Sequence, residues 1–254
     1  MAYRYLFEQM VRRELRQKYK GSALGVLWYL LNPLVLMGAY WFMFGKVFPL
    51  DKIEDFPLFL MVGLAVWVFF SQSLLSAAPS LLDQGALIRK ARFPREAIPA
   101  SVVTVQLVTF LIVLALVALV TFVLRGTLDL PLLELPLILA CLYAFVLGLS
   151  LAVSVLHAYF RDVAPILSAA LLPWFFMSPI FFRPESITRN ETYRAVLEWG
   201  NPVAPFITAM RDVIYSGTSP DLAVVGYVVA AAIVALVAGR LIFARLQGEL
   251  AVVV

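Results

Sequence analysis

The sequence predicts an all-α integral membrane protein with six transmembrane helices. An N-terminal amphipathic interfacial helix and an outer re-entrant or interfacial helical hairpin between spans five and six complete the predicted fold. Hydrophobic residues make up 63% of the 254 residues and charged residues only 14%, whereas soluble domains are about 45–50% apolar and about 25% charged. Six long segments contain no Asp, Glu, Lys or Arg. Their apolar residues do not alternate with polar ones as membrane barrel strands require, which leaves helices to satisfy the backbone in lipid.

The charge-free segments set the expected spans, because crossing a bilayer core takes about 20 apolar residues in a helix. Prolines interrupt the fifth segment, and proline in a helix interior removes a backbone donor. We therefore expect the fifth helix to be broken or to end near Pro179. Within a single domain of residues 1–254, the spans are expected near residues 24–47, 57–82, 98–124, 135–158, 164–182 and 221–243.

The distribution of Lys and Arg predicts the orientation. With the amino terminus in the cytoplasm, 13 of the 20 Lys and Arg residues fall in cytoplasmic segments, in agreement with the positive-inside rule. We expect both termini on the cytoplasmic side of an inner membrane. We also expect no cleaved signal peptide, because Glu8 and Glu14 precede the first apolar segment and no small-residue cleavage site follows it.

Residues 3–20 predict an amphipathic helix, since apolar residues recur at positions 3, 7, 11 and 15. Such a helix lies in the interface plane with its basic face toward lipid phosphates. Two interpretations remain open: an anchor that only sets topology, or an element that docks a partner or captures an anionic lipid substrate. Residues 184–215 predict the outer hairpin, whose second half could dip into the outer leaflet.

Several kinds of chemistry are disfavoured. A single cysteine excludes a disulfide framework, and a single histidine is too few for a typical His-based metal site. No phosphate-binding G-x-x-x-x-G-K-[ST] loop is present. Ser150 and His157 would lie about 10 Å apart along one helix, too far for a protease pair. The charge-free segments leave no charged residue near the middle of any expected span, whereas most ion-coupled carriers keep one there. Any transport must therefore be powered from outside the membrane.

Aromatic residues make up 13% of the chain. Some suit the aromatic belts at membrane interfaces, and aromatic faces also stack on the apolar faces of sugars. For a single aromatic residue, belt or packing is the simpler interpretation; for the set, we favour a sugar pathway. The candidates for its lining are Tyr40, Trp41, Phe44, Trp67, Phe70, Trp174 and Phe175.

Five sequence blocks, in order, resemble ABC type-2 permeases of the branch that exports O-antigen, capsule and teichoic acid polysaccharides. They are residues 13–33 (RELRQKYKGSALGVLWYLLNP), 87–94 (LIRKARFP), 159–163 (YFRDV), 178–181 (SPIF) and 201–202 (NP). The resemblance implies a homodimeric channel with two separate ATP-binding-cassette subunits, which bind ATP and Mg²⁺. The chain itself would be no enzyme and would hold no cofactor or metal. It would contact membrane lipids and a polyprenyl-diphosphate-linked glycan, and no nucleic acid.

The resemblance also assigns roles to residues. The substrate gate and pyrophosphate site would comprise Arg16, Lys18, Tyr19, Lys20, Gly21 and Ser22. Coupling to the ATPase would involve Leu87, Ile88, Arg89, Lys90, Arg92, Phe93, Arg161 and Asp162. Two alternatives stay open: a type-2 permease for another lipid or drug cargo, and a membrane enzyme or scaffold that works without ATP.

Overall fold

The computed structural model describes residues 2–18, 28–47, 53–90, 93–125, 130–187 and 190–250. The regular elements within these ranges are helices. The α-helices are α1 (Ala2–Lys18), α2 (Trp28–Phe42), α3 (Phe56–Ala77), α4 (Ser80–Asp83), α5 (Gly85–Lys90), α6 (Ala97–Arg125), α7 (Leu135–Tyr159), α8 (Val163–Met177), α9 (Pro184–Ile187), α10 (Glu191–Ala195), α11 (Ala204–Arg211) and α12 (Leu222–Leu246). Short π-helical turns extend α2, α10 and α11 to Val47, Gly200 and Ser216.

Four helices in the described part of the chain, α3, α6, α7 and α12, are long and apolar enough to cross a membrane. The prediction of an all-helical membrane protein is thereby confirmed. α2 and α8, in the first and fifth expected spans, have 15 residues each. The 15 residues of α8 rise only about 22 Å, against a bilayer core of about 30 Å, whereas α2 continues through a π-helical turn to Val47. α8 ends at Met177, two residues before Pro179, where the prolines predict an end.

α3 is the central helix, because it packs against α2, α6, α7, α8 and α11. Of its most apolar stretch, 83% lies inside the protein, against 28% for α12. A helix that is apolar on all sides suits a buried position. α12 packs mainly along α7, where a Cβ atom on Gly148 or Gly239 would overlap the backbone of the other helix. Small residues allow this close approach.

Both ends of the described chain meet at one end of the bundle, here named the terminal end. An apolar cluster, separate from the main core, joins α1 to the helices there. Its buried members, the terminal cluster, are Met10, Leu81, Ile88, Ile98, Leu151, Val155, Ala158, Phe243 and Leu250. Polar contacts also hold α1: Arg13 Nη1 donates to Gln84 Oε1 at 3.1 Å, and Gln84 Nε2 donates to Glu14 Oε1 at 3.4 Å.

The opposite end of α3 carries the segment predicted to form the hairpin, and is here named the hairpin end. Asn190 caps α10, since its side-chain oxygen accepts from the backbone N–H of Thr192 at 2.9 Å. α10 is exposed throughout. In α11, by contrast, every residue except Thr208 is buried, against α3, α7 and α12. α11 is therefore part of the bundle, and the depth of the whole segment in a bilayer stays a prediction.

Candidate functional site

A buried arginine occupies the hairpin end. Arg211 stands at the end of α11 and is 7% exposed. Its Nε donates to the carbonyl of Phe59 at 3.2 Å. Its Nη1 and Nη2 donate to the carbonyls of Pro179 and Ile180. The guanidinium carbon also lies 3.5 Å from the centre of the Phe59 ring, a cation–π contact. One side chain thus ties α11 to α3 and to the segment after α8.

Local structure provides the acceptors and the space. Pro179 and Ile180 lie beyond the end of α8, so their carbonyls take no part in its hydrogen bonding and accept from Arg211 instead. Gly63 lies one turn beyond Phe59 on α3, and a Cβ atom there would be 2.5 Å from Nη2 of Arg211.

Arg211 is a buried cation whose hydrogen-bond partners are neutral backbone carbonyls. Burial, and then the positive charge of Arg183, lowers the pKa of Arg211 to about 9. Tyr215 and Asp212 act in the opposite direction, and the side chain remains cationic at neutral pH. No ion pair of Arg211 or Arg183 occurs among the described residues. Because a buried charge is costly unless it is hydrogen-bonded, the three carbonyls are what make this position tolerable.

An open cavity of about 570 Å³ borders Arg211. Arg183 and Asp212 line it as well, together with hydroxyl groups of Thr208, Tyr215 and Ser216. Burial raises the pKa of Asp212 to about 6, against a smaller opposite effect of Arg211. Pockets for small molecules measure about 300–1,000 Å³. The cavity is therefore large enough for a small ligand, and its charge depends on pH near 6.

Most of the aromatic residues predicted to line a pathway meet in one cluster between α2, α3 and α8. The ring centroid of Trp67 lies 5.5 Å from that of Phe70 and 5.6 Å from that of Phe175. Trp174 lies 5.2 Å from Phe70, and Tyr40 lies 5.4 Å from Phe175. Trp67, Phe70 and Phe175 are buried, so within one chain they pack the core. Tyr40 and Trp174 are partly exposed.

The other two predicted pathway aromatics lie elsewhere. Trp41 is exposed on α2, with Lys46 Nζ 5.7 Å from its ring centre. The side chain of Phe44 lies outside the described residues. The structure therefore brings five of the seven candidates together, and it places Trp41 on a different face.

Asn201 links the aromatic cluster to the hairpin end. Its Oδ1 accepts from Trp174 Nε1 at 2.9 Å and from the backbone N–H of Val203 at 3.1 Å. Its Nδ2 donates to Ser178 Oγ at 2.9 Å. Two of the sequence blocks that carry the resemblance, those beginning at Ser178 and at Asn201, thus form a single buried polar contact.

The residues expected to contact an ATPase lie in two short segments at the terminal end. Arg89 and Lys90 are exposed at the end of α5, and Arg161 and Asp162 are exposed in the turn between α7 and α8. Ile88 differs, because it is 4% exposed and belongs to the terminal cluster. It therefore anchors α5 and offers no surface to a partner. Leu87 and Phe93 are partly buried, and Arg92 lies outside the described residues.

His157 has a structural position beside the same turn. It is buried, and its Nδ1 accepts from the backbone N–H of Ala164 at 3.3 Å. The hydroxyl of Ser150 is buried without a hydrogen-bond partner among the described residues. The two side chains therefore form no nucleophile–base pair, which agrees with the helical spacing.

The predicted substrate gate falls largely outside the described residues. Arg16 is exposed near the end of α1, which ends at Lys18. Tyr19, Lys20, Gly21 and Ser22 lie outside the described residues. Arg16 is thus the gate candidate whose side chain is placed, and it stands on the same helix as Met10, which anchors α1.

Arg211 was missed by the sequence prediction, which searched for buried charge only inside the six expected spans. The available signal was the segment APFITAMR, in which one charged residue closes an otherwise apolar helix. Arginine is almost never fully buried unless it is paired, so an arginine in such an apolar segment indicates a charge that the fold has to satisfy.

Comparisons with known proteins identify the family. The model of the ABC-2 type transporter family matches residues 5–215. The chain is 32% identical over 249 residues to the O-antigen export system permease protein RfbA of Myxococcus xanthus, across 98% of this chain and 95% of that protein. A protein of the same name from Klebsiella pneumoniae is 30% identical over 218 residues, across 84% of this chain and 83% of that protein.

A similarity extends to a second kind of relative. The polysialic acid transport protein KpsM of Escherichia coli is 26% identical over 221 residues, across 83% of this chain and 81% of that protein. The family match over residues 5–215 covers the helices that form the aromatic cluster, Asn201 and Arg211. The chain therefore belongs to the ABC-2 type transporter family, as a multi-pass membrane protein.

Proposed function

We propose that the chain is the membrane-spanning subunit of an ATP-driven exporter that moves lipid-linked polysaccharide outward from the cytoplasm. The observation that carries the proposal is the nearly full-length match to a protein named as an O-antigen export permease. Family membership implies an ATPase partner, and the sequence contains no phosphate-binding loop of its own. ATP hydrolysis with Mg²⁺ is thus assigned to two separate subunits.

In the proposed topology, the chain crosses the inner membrane six times. α2 and α8 complete the set of four long helices, and both termini lie in the cytoplasm. The excess of Lys and Arg in the segments at the terminal end supports this orientation. The terminal end then faces the cytoplasm, and the hairpin end faces outward.

In the proposed assembly, two copies form the channel along α2 and α8. Of the 15 residues of α8, only Leu171 and Phe175 are buried in the single chain. Large apolar side chains such as Leu172 and Phe176 are exposed. A second copy would cover part of this face and would bring the partly exposed Tyr40 and Trp174 to the channel, where sugar faces can stack on them.

In the proposed mechanism, the ATPase subunits dock on α5 and on the turn between α7 and α8. Ile88 and Met10 share the terminal cluster, so a displacement of α5 is transmitted to α1. The gate residues then bind the substrate pyrophosphate, with Arg16, Lys18 and Lys20 supplying charge-assisted hydrogen bonds. The glycan passes outward between the two copies.

The docking step is tested with the double variant Arg89→Glu plus Lys90→Glu. Both side chains are exposed, so the variant should insert and fold normally. Because their charge is reversed, we expect loss of ATPase co-purification and loss of polysaccharide export. Export is measured as surface glycan in cells that lack the wild-type chain, and insertion is measured by membrane fractionation.

The matched control reverses two other exposed charges near the terminal end, Arg240→Glu plus Arg245→Glu. Arg240 is exposed and its contact with the partly buried Glu96 is long, at 3.6 Å, so this change should have little effect on stability. The control should retain export. Full export by the α5 variant, or equal loss in both variants, would contradict docking at α5.

A further inference from the structure

The cavity at the hairpin end has the features of a ligand site. Two guanidinium groups line it, one buried and one exposed, and they belong to different segments of the chain. Arg211 is fixed from behind by three backbone carbonyls. The Cζ atom of Arg183 lies 5.7 Å from the ring centre of Phe59, which is the same ring that Arg211 covers. The side chain of Phe59 thus brings the two cations to one place.

Among the side chains that the structure describes, those lining this cavity carry two positive charges and one negative charge. Arg183 and Arg211 are close enough for the charge of Arg183 to lower the pKa of Arg211. Asp212 is the carboxylate found among the described lining residues. It is half-buried and makes no ion pair with either arginine. Like charges near each other in a partly buried site are unfavourable, and an anion bound between them would relieve that repulsion.

The cavity also offers hydrogen-bond donors. A guanidinium carries five N–H groups in a planar fork, and carbonyls take three of those on Arg211. Arg183 is exposed, so its fork is open to the cavity and to solvent. The hydroxyls of Thr208 and Ser216 line the same space. Arginine forks bind carboxylates and phosphates in two-point contacts, and hydroxyl groups suit a polyhydroxylated ligand.

We propose that this cavity binds a phosphate or carboxylate group carried by a sugar or by a lipid headgroup, between Arg183 and Arg211. Its position on the outer side of the membrane rests on the proposed function. There it would hold an anionic unit of the emerging glycan, or the headgroup of an outer-leaflet phospholipid. Arg211 is the fixed part of the site, and Arg183 is the part that approaches the ligand from the exposed side.

The first experiment tests whether the cavity binds sugar anions. Binding is measured to the purified full chain in nanodiscs of neutral phosphatidylcholine. Glucuronate and glucose 1-phosphate are the anionic probes and glucose is the neutral comparison, with binding measured by saturation-transfer NMR. We expect both anions to bind more tightly than glucose. Arg183→Gln should weaken their binding about tenfold, as expected for the loss of one charged hydrogen-bonding partner.

The matched control is Arg194→Gln. Arg194 is also exposed and also lies between α8 and α12, but it pairs with Glu198 at 2.7 Å and does not line the cavity. It should leave binding unchanged. Because an Arg211 substitution can disturb the fold, the test relies on Arg183, and the unfolding temperatures of both variants are compared with that of the wild type.

The second experiment tests whether the cavity binds a lipid headgroup, and it uses nanodiscs that contain phosphatidylglycerol. Native mass spectrometry counts the lipids that stay bound to the chain, and we expect Arg183→Gln to lose one that Arg194→Gln keeps. Displacement of that lipid by glucuronate would show that both sources share the site. If the chain retains a phosphatidylglycerol molecule but binds no sugar anion in phosphatidylcholine nanodiscs, the site binds the lipid headgroup.

The proposal is overturned if neither anionic probe nor anionic lipid binds in a manner that Arg183→Gln weakens. It is equally overturned if Arg194→Gln weakens binding as much as Arg183→Gln does. None of these measurements requires ATP or export. A failure of the exporter proposal would therefore leave the binding result unaffected, and a binding failure would leave the exporter proposal unaffected.

Discussion

The elements at the two ends of the bundle are held in place by opposite kinds of contact. At the terminal end, short elements are held by an apolar cluster that includes Met10 and Ile88, while charged neighbours such as Arg89 remain exposed. At the hairpin end, a charged side chain, Arg211, is itself the anchor, held by three carbonyls and an aromatic ring. Apolar anchoring leaves charged side chains exposed at the surface, whereas charged anchoring fixes an otherwise irregular segment to the core.

Breaking the charged anchor should have the largest effect on stability. Arg211→Leu leaves the carbonyls of Phe59, Pro179 and Ile180 without this donor in a buried region. At about 1–3 kcal/mol for each buried group left unpaired, the expected loss is about 3 kcal/mol or more. The free energy of unfolding in mixed micelles is the measurement.

Arg194→Leu is the control for that change, because its ion pair with Glu198 is exposed and worth only about 0.3–0.5 kcal/mol. Arg211→Lys should retain part of the stability, since an ammonium keeps the charge but loses the fork. Equal stability of Arg211→Leu and Arg194→Leu would show that the buried arginine is not an anchor.

Breaking the apolar anchor should detach one element and leave the bundle folded. Met10→Asp places a carboxylate in the terminal cluster, where Met10 is 8% exposed. Burying an unpaired charge costs about 2 kcal/mol or more, and each 1.4 kcal/mol is a tenfold change in population. Trypsin should therefore cleave α1 after Arg12 and Arg13 at least tenfold faster than in the wild type.

Tyr5→Asp is the matched control on the same helix, since Tyr5 is 67% exposed. Its cleavage rate should stay close to that of the wild type. If both variants are cleaved at the same rate, α1 is not held by the terminal cluster, and the contrast between the two ends fails at this end.

A smaller effect sharpens the account of the hairpin end. Burial raises the pKa of Asp212 to about 6, so its carboxyl is neutral below that pH and negative above it. The net positive charge of the cavity therefore increases as pH falls. Glucuronate, which stays ionised across this range, should bind several-fold more tightly at pH 5 than at pH 7.5.

Asp212→Asn removes the titrating group and should bind glucuronate at pH 7.5 as tightly as the wild type does at pH 5. Arg211, Arg183 and Tyr215 line the cavity with Asp212, and Arg211, with a pKa of about 9, stays cationic over this range. A pH dependence that survives in Asp212→Asn would assign the titration to another group.

Much of the fold follows from the sequence for simple physical reasons. Long apolar segments predict α3, α6, α7 and α12 because lipid admits only helices with internally satisfied backbones. The prolines near the end of α8 predict its end, and apolar spacing predicts α1. The family-like sequence blocks likewise pointed to a permease, which the comparisons confirm.

The rest depends on contacts that spacing does not show. Arg211 binds carbonyls 31, 32 and 152 residues away in sequence, and no local pattern indicates which carbonyls will be near. Ile88 stands among basic residues, and its inward direction depends on α1, which supplies Met10. Burial of Trp67 and Phe70 leaves no pattern either, because lipid is as apolar as a protein core.

The central claim is that the chain moves lipid-linked polysaccharide at the expense of ATP. The most direct measurement reconstitutes it with its co-purifying ATPase in proteoliposomes that carry labelled lipid-linked glycan, and follows transfer of the label across the membrane by its susceptibility to an external glycosidase. We predict transfer that requires ATP and stops with a non-hydrolysable analogue or with Arg89→Glu plus Lys90→Glu. Transfer at the same rate without ATP, or no transfer by a complex that hydrolyses ATP, would contradict the claim.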